Sequence, residues 1–138
     1  MTRKFEKILL FCASVWQIIN GLITIFLYAP AIRRSGIDAI PNNIPLIEAN
    51  ASYSFISSIY MVSVIFGFLF ILFAIINLLI LKKMSSLKIE KKLPLYLFSI
   101  GLVSYFLMDF VSAILLISSG VIMLSKNKSI LKLNLGGL

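Results

Sequence analysis

Residues 93–124 read LPLYLFSIGLVSYFLMDFVSAILLISSGVIML, and the way this stretch meets a bilayer decides the fold. As one helix at 1.5 Å per residue it would reach about 48 Å, against a hydrocarbon core of about 30 Å. Asp109 stands near its centre, the only acid inside the chain's long apolar runs. Lysines bracket the stretch, with Lys91 and Lys92 before it and Lys126 and Lys128 after it. A single crossing would put one of those groups outside the membrane. A hairpin keeps both on the cytoplasmic side, as the positive-inside rule favours. The pattern therefore predicts two short helices, 93–108 and 110–125, joined by a tight turn near 108–112.

Two further apolar runs lie upstream, at 8–28 and 53–81. The expected architecture is an all-α integral membrane protein. It has four transmembrane helices in an antiparallel up-down bundle, a short last hairpin and both termini inside. The whole chain is one membrane domain. Residues 29–52, broken by Pro30, Gly36, Pro41, Asn42, Asn43 and Pro45, are expected to form an outer loop. Residues 82–92 form a cytoplasmic loop and 126–138 a cytoplasmic tail. The start of the chain is similar to a secretory signal, but its apolar stretch is longer than the roughly 7–15 residues of a signal core. It is expected to be a retained span.

Composition supports this reading. Of 138 residues, 60% are hydrophobic and 13% charged, with a net charge of +8; mean hydropathy is +1.05. Soluble domains carry about 25% charged residues. Arg3, Lys4 and Lys7, then Lys82, Lys83, Lys88, Lys91 and Lys92, then Lys126, Lys128 and Lys132 account for eleven of the thirteen basic residues. All eleven fall on the side assigned as cytoplasmic, where each gains about 1 kcal/mol from anionic headgroups. Arg33 and Arg34 fall on the other side. Lys82, Lys83, Lys88, Lys91 and Lys92 are read as anchors to the inner leaflet. The expected partners are the bilayer, its anionic inner-leaflet lipids, and another membrane protein or a second copy. The placement of charge beside apolar spans argues against nucleic acid.

The chain has no histidine and one cysteine, Cys12. This removes the commonest zinc, haem and general-base chemistry. No enzyme and no cofactor is expected. The pair Ser85–Lys88 has serine-lysine dyad spacing without a supporting site. Cys12 is read as a small apolar filler, Trp16 as a packing residue, and Tyr53 and Tyr96 as interface anchors.

Small and polar residues mark the packing faces, because helices in lipid associate through close approach and a few hydrogen bonds. In the first span Ala13, Gln17, Asn20, Gly21, Thr24 and Tyr28 share a face. In the second, Tyr60, Ser63, Gly67, Ala74 and Asn77 do so. Gly101, Ser104 and Tyr105 mark the third, and Ser112, Ala113, Ser119 and Gly120 the fourth. Gln17, Asn20 and Asn77 have two readings, as interhelical glue or as the lining of a polar path. Asp109 also has two, as a cap on the last helix or as a functional acid.

The opening TRKFEKILL, with Arg3, Glu6 and Lys7, and the closing AILLISSGVIMLSKNK at 113–128 resemble a family of small, mostly Gram-positive bacterial membrane proteins classed as a domain of unknown function. The resemblance covers the two ends and implies a similar length and four spans. It implies no activity and no functional residues. The chain departs from it at Asp109-Phe110-Val111, where a proline-glycine step is typical.

The functional expectation is an accessory, interaction or immunity-type subunit of a larger assembly in a bacterial plasma membrane. The alternative is a small oligomeric transporter or lipid-linked-sugar flippase. Four-span multidrug transporters use a glutamate deep in the first helix, whereas Glu6 stands at the very start of this one.

Overall fold

The computed structural model describes residues 3–43, 45–84 and 92–135, with side chains to 131. Among these residues there is no strand. Helix α1 spans Lys4–Ile23 and passes through a π-helical turn, Thr24–Tyr28, into α2, Ala29–Asp38. Then come α3, Leu46–Lys83, α4, Lys92–Phe106, and α5, Phe110–Leu135. Three segments are long and apolar enough to cross a membrane: Lys4–Asp38, Leu46–Lys83 and Phe110–Leu131. Helix α4 is the exception. Its 15 residues make about 22 Å, short of the roughly 30 Å core.

The broad loop expected at 29–52 is a correction. Helix continues to Asp38 and resumes at Leu46, so the connection narrows to 39–45. Pro30 fails to end the helix for a local reason. A proline in a regular helix lacks one N–H and clashes with the carbonyl four residues back, here that of Phe26. The π-helical turn just before it widens the backbone, and the Ala29 N–H bonds the Thr24 carbonyl. The expected tail is also helical to Leu135, because Lys and Leu propagate a helix well.

The chain forms two compact units, one from Met1–Gln17 with Phe73–Leu138, the other from Ile18–Leu72. In the first, four helical segments surround a core of Leu10, Ala13, Met84, Leu97, Leu116 and Met123. Helices α4 and α5 pair as an antiparallel hairpin. Gly101 faces Ile117 and the Ala113 carbonyl, and Gly120 faces Pro94, Leu97 and Phe98.

The hairpin turn combines two devices. The Asp109 N–H bonds the Ser104 carbonyl at 2.9 Å and the Met108 N–H bonds the Tyr105 carbonyl at 3.0 Å. These are the two bonds of a Schellman cap, whose left-handed position usually holds glycine. Here Met108 holds it, with φ at 61°. Asp109 closes α4 through its backbone and opens α5 through its side chain.

In the second unit residues 18–38 run antiparallel to 46–72, and two glycines let the backbones come close. A Cβ on Gly21 would stand 2.7 Å from the Gly67 carbonyl oxygen, and one on Gly67 would stand 2.9 Å from that of Gly21. Further along, Gly36 abuts Ile56. The sequence assigned Gly21 and Gly67 to packing faces, and each stands against the other's backbone.

Two stability outcomes follow from this geometry. Gly67→Ala should cost about 1–3 kcal/mol of thermal stability in detergent through overpacking. Gly120→Ala, whose new Cβ meets nothing nearer than 3.4 Å, should stay within about 0.5 kcal/mol. Met108 is exposed, so Met108→Gly should relieve left-handed strain of about 1–2 kcal/mol against a glycine cost of about 0.5–1 kcal/mol, a small net gain. Equal melting of the two alanine variants, or destabilisation by Met108→Gly, contradicts the packing described.

Candidate functional site

The first unit buries a chain of polar side chains among apolar ones. Gln17 is at its centre and fully buried. Its Nε2 donates to Ser104 Oγ at 3.2 Å, and its Oε1 accepts from Asn77 Nδ2 at 3.0 Å. The Tyr96 hydroxyl donates to Asn77 Oδ1 at 3.2 Å. Three helices are thereby linked: α1 through Gln17, α3 through Asn77, and α4 through Tyr96 and Ser104. The reason is energetic. A buried polar group without a partner costs about 1–3 kcal/mol, so each amide must meet its complement inside the protein.

Asp109 lies at one end of this unit, 2% exposed. Its Oδ1 accepts the Ser112 N–H at 3.3 Å, a cap on the first turn of α5. The same oxygen accepts the Trp16 indole N–H at 3.1 Å. Asp109 Oδ2 and Ser112 Oγ are both buried without a hydrogen-bond partner.

An ionic cluster lies at the other end. Lys126 Nζ meets Glu6 Oε2 at 2.8 Å, with the glutamate side chain fully buried and the lysine 19% exposed. Arg3 Nη2 donates to Asn127 Oδ1 at 2.7 Å, and the Ser119 hydroxyl donates to the Glu6 carbonyl at 3.2 Å. These bonds hold Arg3 and Glu6, at the start of α1, against α5 between Ser119 and Asn127. They also explain why α5 continues beyond residue 125.

Several sequence expectations need correction here. Asn20 contributes its backbone carbonyl, to the Thr24 hydroxyl at 2.8 Å, rather than an amide to the chain through Gln17. Thr24 therefore satisfies its own helix. Tyr96 was expected at an interface, yet its hydroxyl belongs to the buried chain. Cys12 is exposed rather than packed, and Trp16 leaves 41% of its surface open while bonding Asp109. Lys82, Lys83 and Lys92 are exposed at the adjoining ends of α3 and α4. Lys88 and Lys91, and with them the Ser85–Lys88 pair, lie outside the described residues, as does the side chain of Lys132.

The sequence reading missed the roles of Glu6 and Lys126, treating one as part of a basic start and the other as part of a tail. Their opposite charges at the ends of antiparallel helices were the available signal. Chemically, the chain through Gln17 contains only neutral amides and hydroxyls. Among the described residues no group of three His, Cys, Asp or Glu side chains could hold a metal. No protein-family model, no curated protein and no solved structure matches this chain.

Asp109 can be tested through its cap. Asp109→Asn retains an acceptor oxygen and should unfold within about 0.5 kcal/mol of the parent, whereas Asp109→Ala should lose about 0.5–2 kcal/mol. Chemical unfolding in mixed micelles measures both. Equal losses for the two variants would show that the carboxylate charge, not the cap, holds the turn.

Proposed function

We propose that the chain is a non-enzymatic polytopic protein of a bacterial plasma membrane, an accessory, interaction or immunity-type subunit of a larger membrane assembly. The observation that carries this reading is how the polar groups are used. Gln17, Asn77, Ser104 and Tyr96 bond one another, which leaves no continuous polar lining for a solute. The surfaces turned outward are large and apolar, with Phe5, Phe26, Phe55 and Phe68 each more than 60% exposed. Such surfaces suit acyl chains and other membrane helices.

Both termini are cytoplasmic in this reading, supported by the eleven basic residues at that side. The shortness of α4 refines the expected four spans. Lys4–Asp38 and Leu46–Lys83 cross the membrane. The α4–α5 hairpin enters from the cytoplasmic side and turns back at Met108 before reaching the far surface, its reach limited by α4. In a Cys12→Ala background, Asn42→Cys should then label with an impermeant maleimide in intact cells, and Met108→Cys should label only after lysis. Labelling of both from outside would restore four complete spans.

The interaction reading is tested by purification from native membranes in mild detergent. A stoichiometric membrane-protein partner is expected. A chain that elutes alone from native membranes opposes the reading. A small transporter or lipid-linked-sugar flippase is the second reading, favoured by one feature, the unpartnered Oδ2 of Asp109 and Oγ of Ser112. Solute or lipid movement in proteoliposomes that Asp109→Asn abolishes would move the assignment to it.

A further inference from the structure

The two basic residues that break the chain's charge asymmetry, Arg33 and Arg34, lie on α2 in the second unit. The Arg33 guanidinium carbon stands 5.5 Å from the centre of the Tyr60 ring, a cation–π contact that fixes one arm. Among the described residues neither arginine is ion-paired with a carboxylate. Asp38 follows Arg34 by one helical turn without pairing with it. All three charged residues line one cavity of about 320 Å³, completed by Pro30, Ile37 and Tyr60. That volume lies within the roughly 300–1,000 Å³ of small-molecule sites.

The wall carries two guanidinium groups and one carboxylate, with an aromatic ring and apolar side chains beside them. Guanidinium forks match phosphate oxygens in geometry and charge. A carboxylate in the same wall disfavours a simple dianion and suits an ammonium placed next to the phosphate. We propose that this cavity binds a phosphate–ammonium zwitterion of the phosphoethanolamine type, with Arg33 and Arg34 on the phosphate and Asp38 on the amine. The source is either the headgroup of a phosphatidylethanolamine or the free phosphoethanolamine. The lipid source rests on the membrane placement proposed above and the free source does not.

The test uses the full chain in a phosphate-free maltoside detergent, with native mass spectrometry and equilibrium binding. The probes are short-chain phosphatidylethanolamine, short-chain phosphatidylglycerol and free phosphoethanolamine. Phosphatidylethanolamine should bind at least about tenfold more tightly than phosphatidylglycerol, a difference of about 1.4 kcal/mol. The Arg33→Ala/Arg34→Ala variant should lose about that factor or more, whereas Ser99→Ala, on the exposed face of α4, should bind like the parent. Asp38→Asn should abolish the preference between the two lipids while retaining binding. Circular dichroism and gel filtration establish folding. The single, exposed change Arg34→Gln serves if the double variant does not fold. Arginine-dependent binding of free phosphoethanolamine assigns the soluble source, and binding of the lipid alone assigns the headgroup. Equal binding of the two lipids, no binding of either amine-bearing probe, or unchanged binding by a folded arginine variant overturns the proposal.

Discussion

Gln17 presents both ends of one amide to two different helices, and the arrangement of the first unit depends on that choice of partners. Its oxygen accepts a hydrogen bond from Asn77 and its nitrogen donates one to Ser104. In apolar surroundings an interhelical hydrogen bond contributes little net energy, about 0.6 kcal/mol on average. Leaving a buried partner unmade costs more, about 1–3 kcal/mol. The bonds therefore act mainly by penalising every other register. A slip of α3 or α4 by one residue would strand an amide or a hydroxyl in the core.

The second unit relies on close approach rather than on polar bonds. Gly21 and Gly67 bring two backbones together where any Cβ would collide. Dispersion falls off steeply with separation, so removing two side chains at the crossing extends contact along both helices. The two devices divide the long helices between them. Residues Gln17 and Asn77 serve polar matching, and Gly21 and Gly67 serve steric matching.

Much of this was legible in the sequence, because both devices require particular residue types at helical spacing. Ala13, Gln17 and Gly21 of the first stripe are buried, as are Gly67, Ala74 and Asn77 on α3 and Ser112, Ala113, Ser119 and Gly120 on α5, whereas Tyr28, assigned to the same stripe as Gln17, is exposed. The hairpin at Asp109 was legible because lysines bracket the stretch and a single crossing would put one group outside. Three features were not. Pro30 looked like a terminator, since nothing local signals that a π-helical turn will accommodate it. Lys126 and Asn127 looked like tail, since their partners Glu6 and Arg3 lie more than a hundred residues away. Met108 occupies a left-handed position that sequence rules reserve for glycine or asparagine. Long-range pairing and tolerated strain are properties of the fold, not of any local window.

The register of the first unit turns on whether Gln17 and Asn77 act as a pair. A double-mutant cycle of Gln17→Leu and Asn77→Leu, read by reversible unfolding in bicelles, measures this directly. The pairing predicts that each single change destabilises and that the double change costs less than their sum, by about 0.6–1.7 kcal/mol. Strictly additive losses would contradict it and would remove the polar chain as the element that sets the register of the first unit.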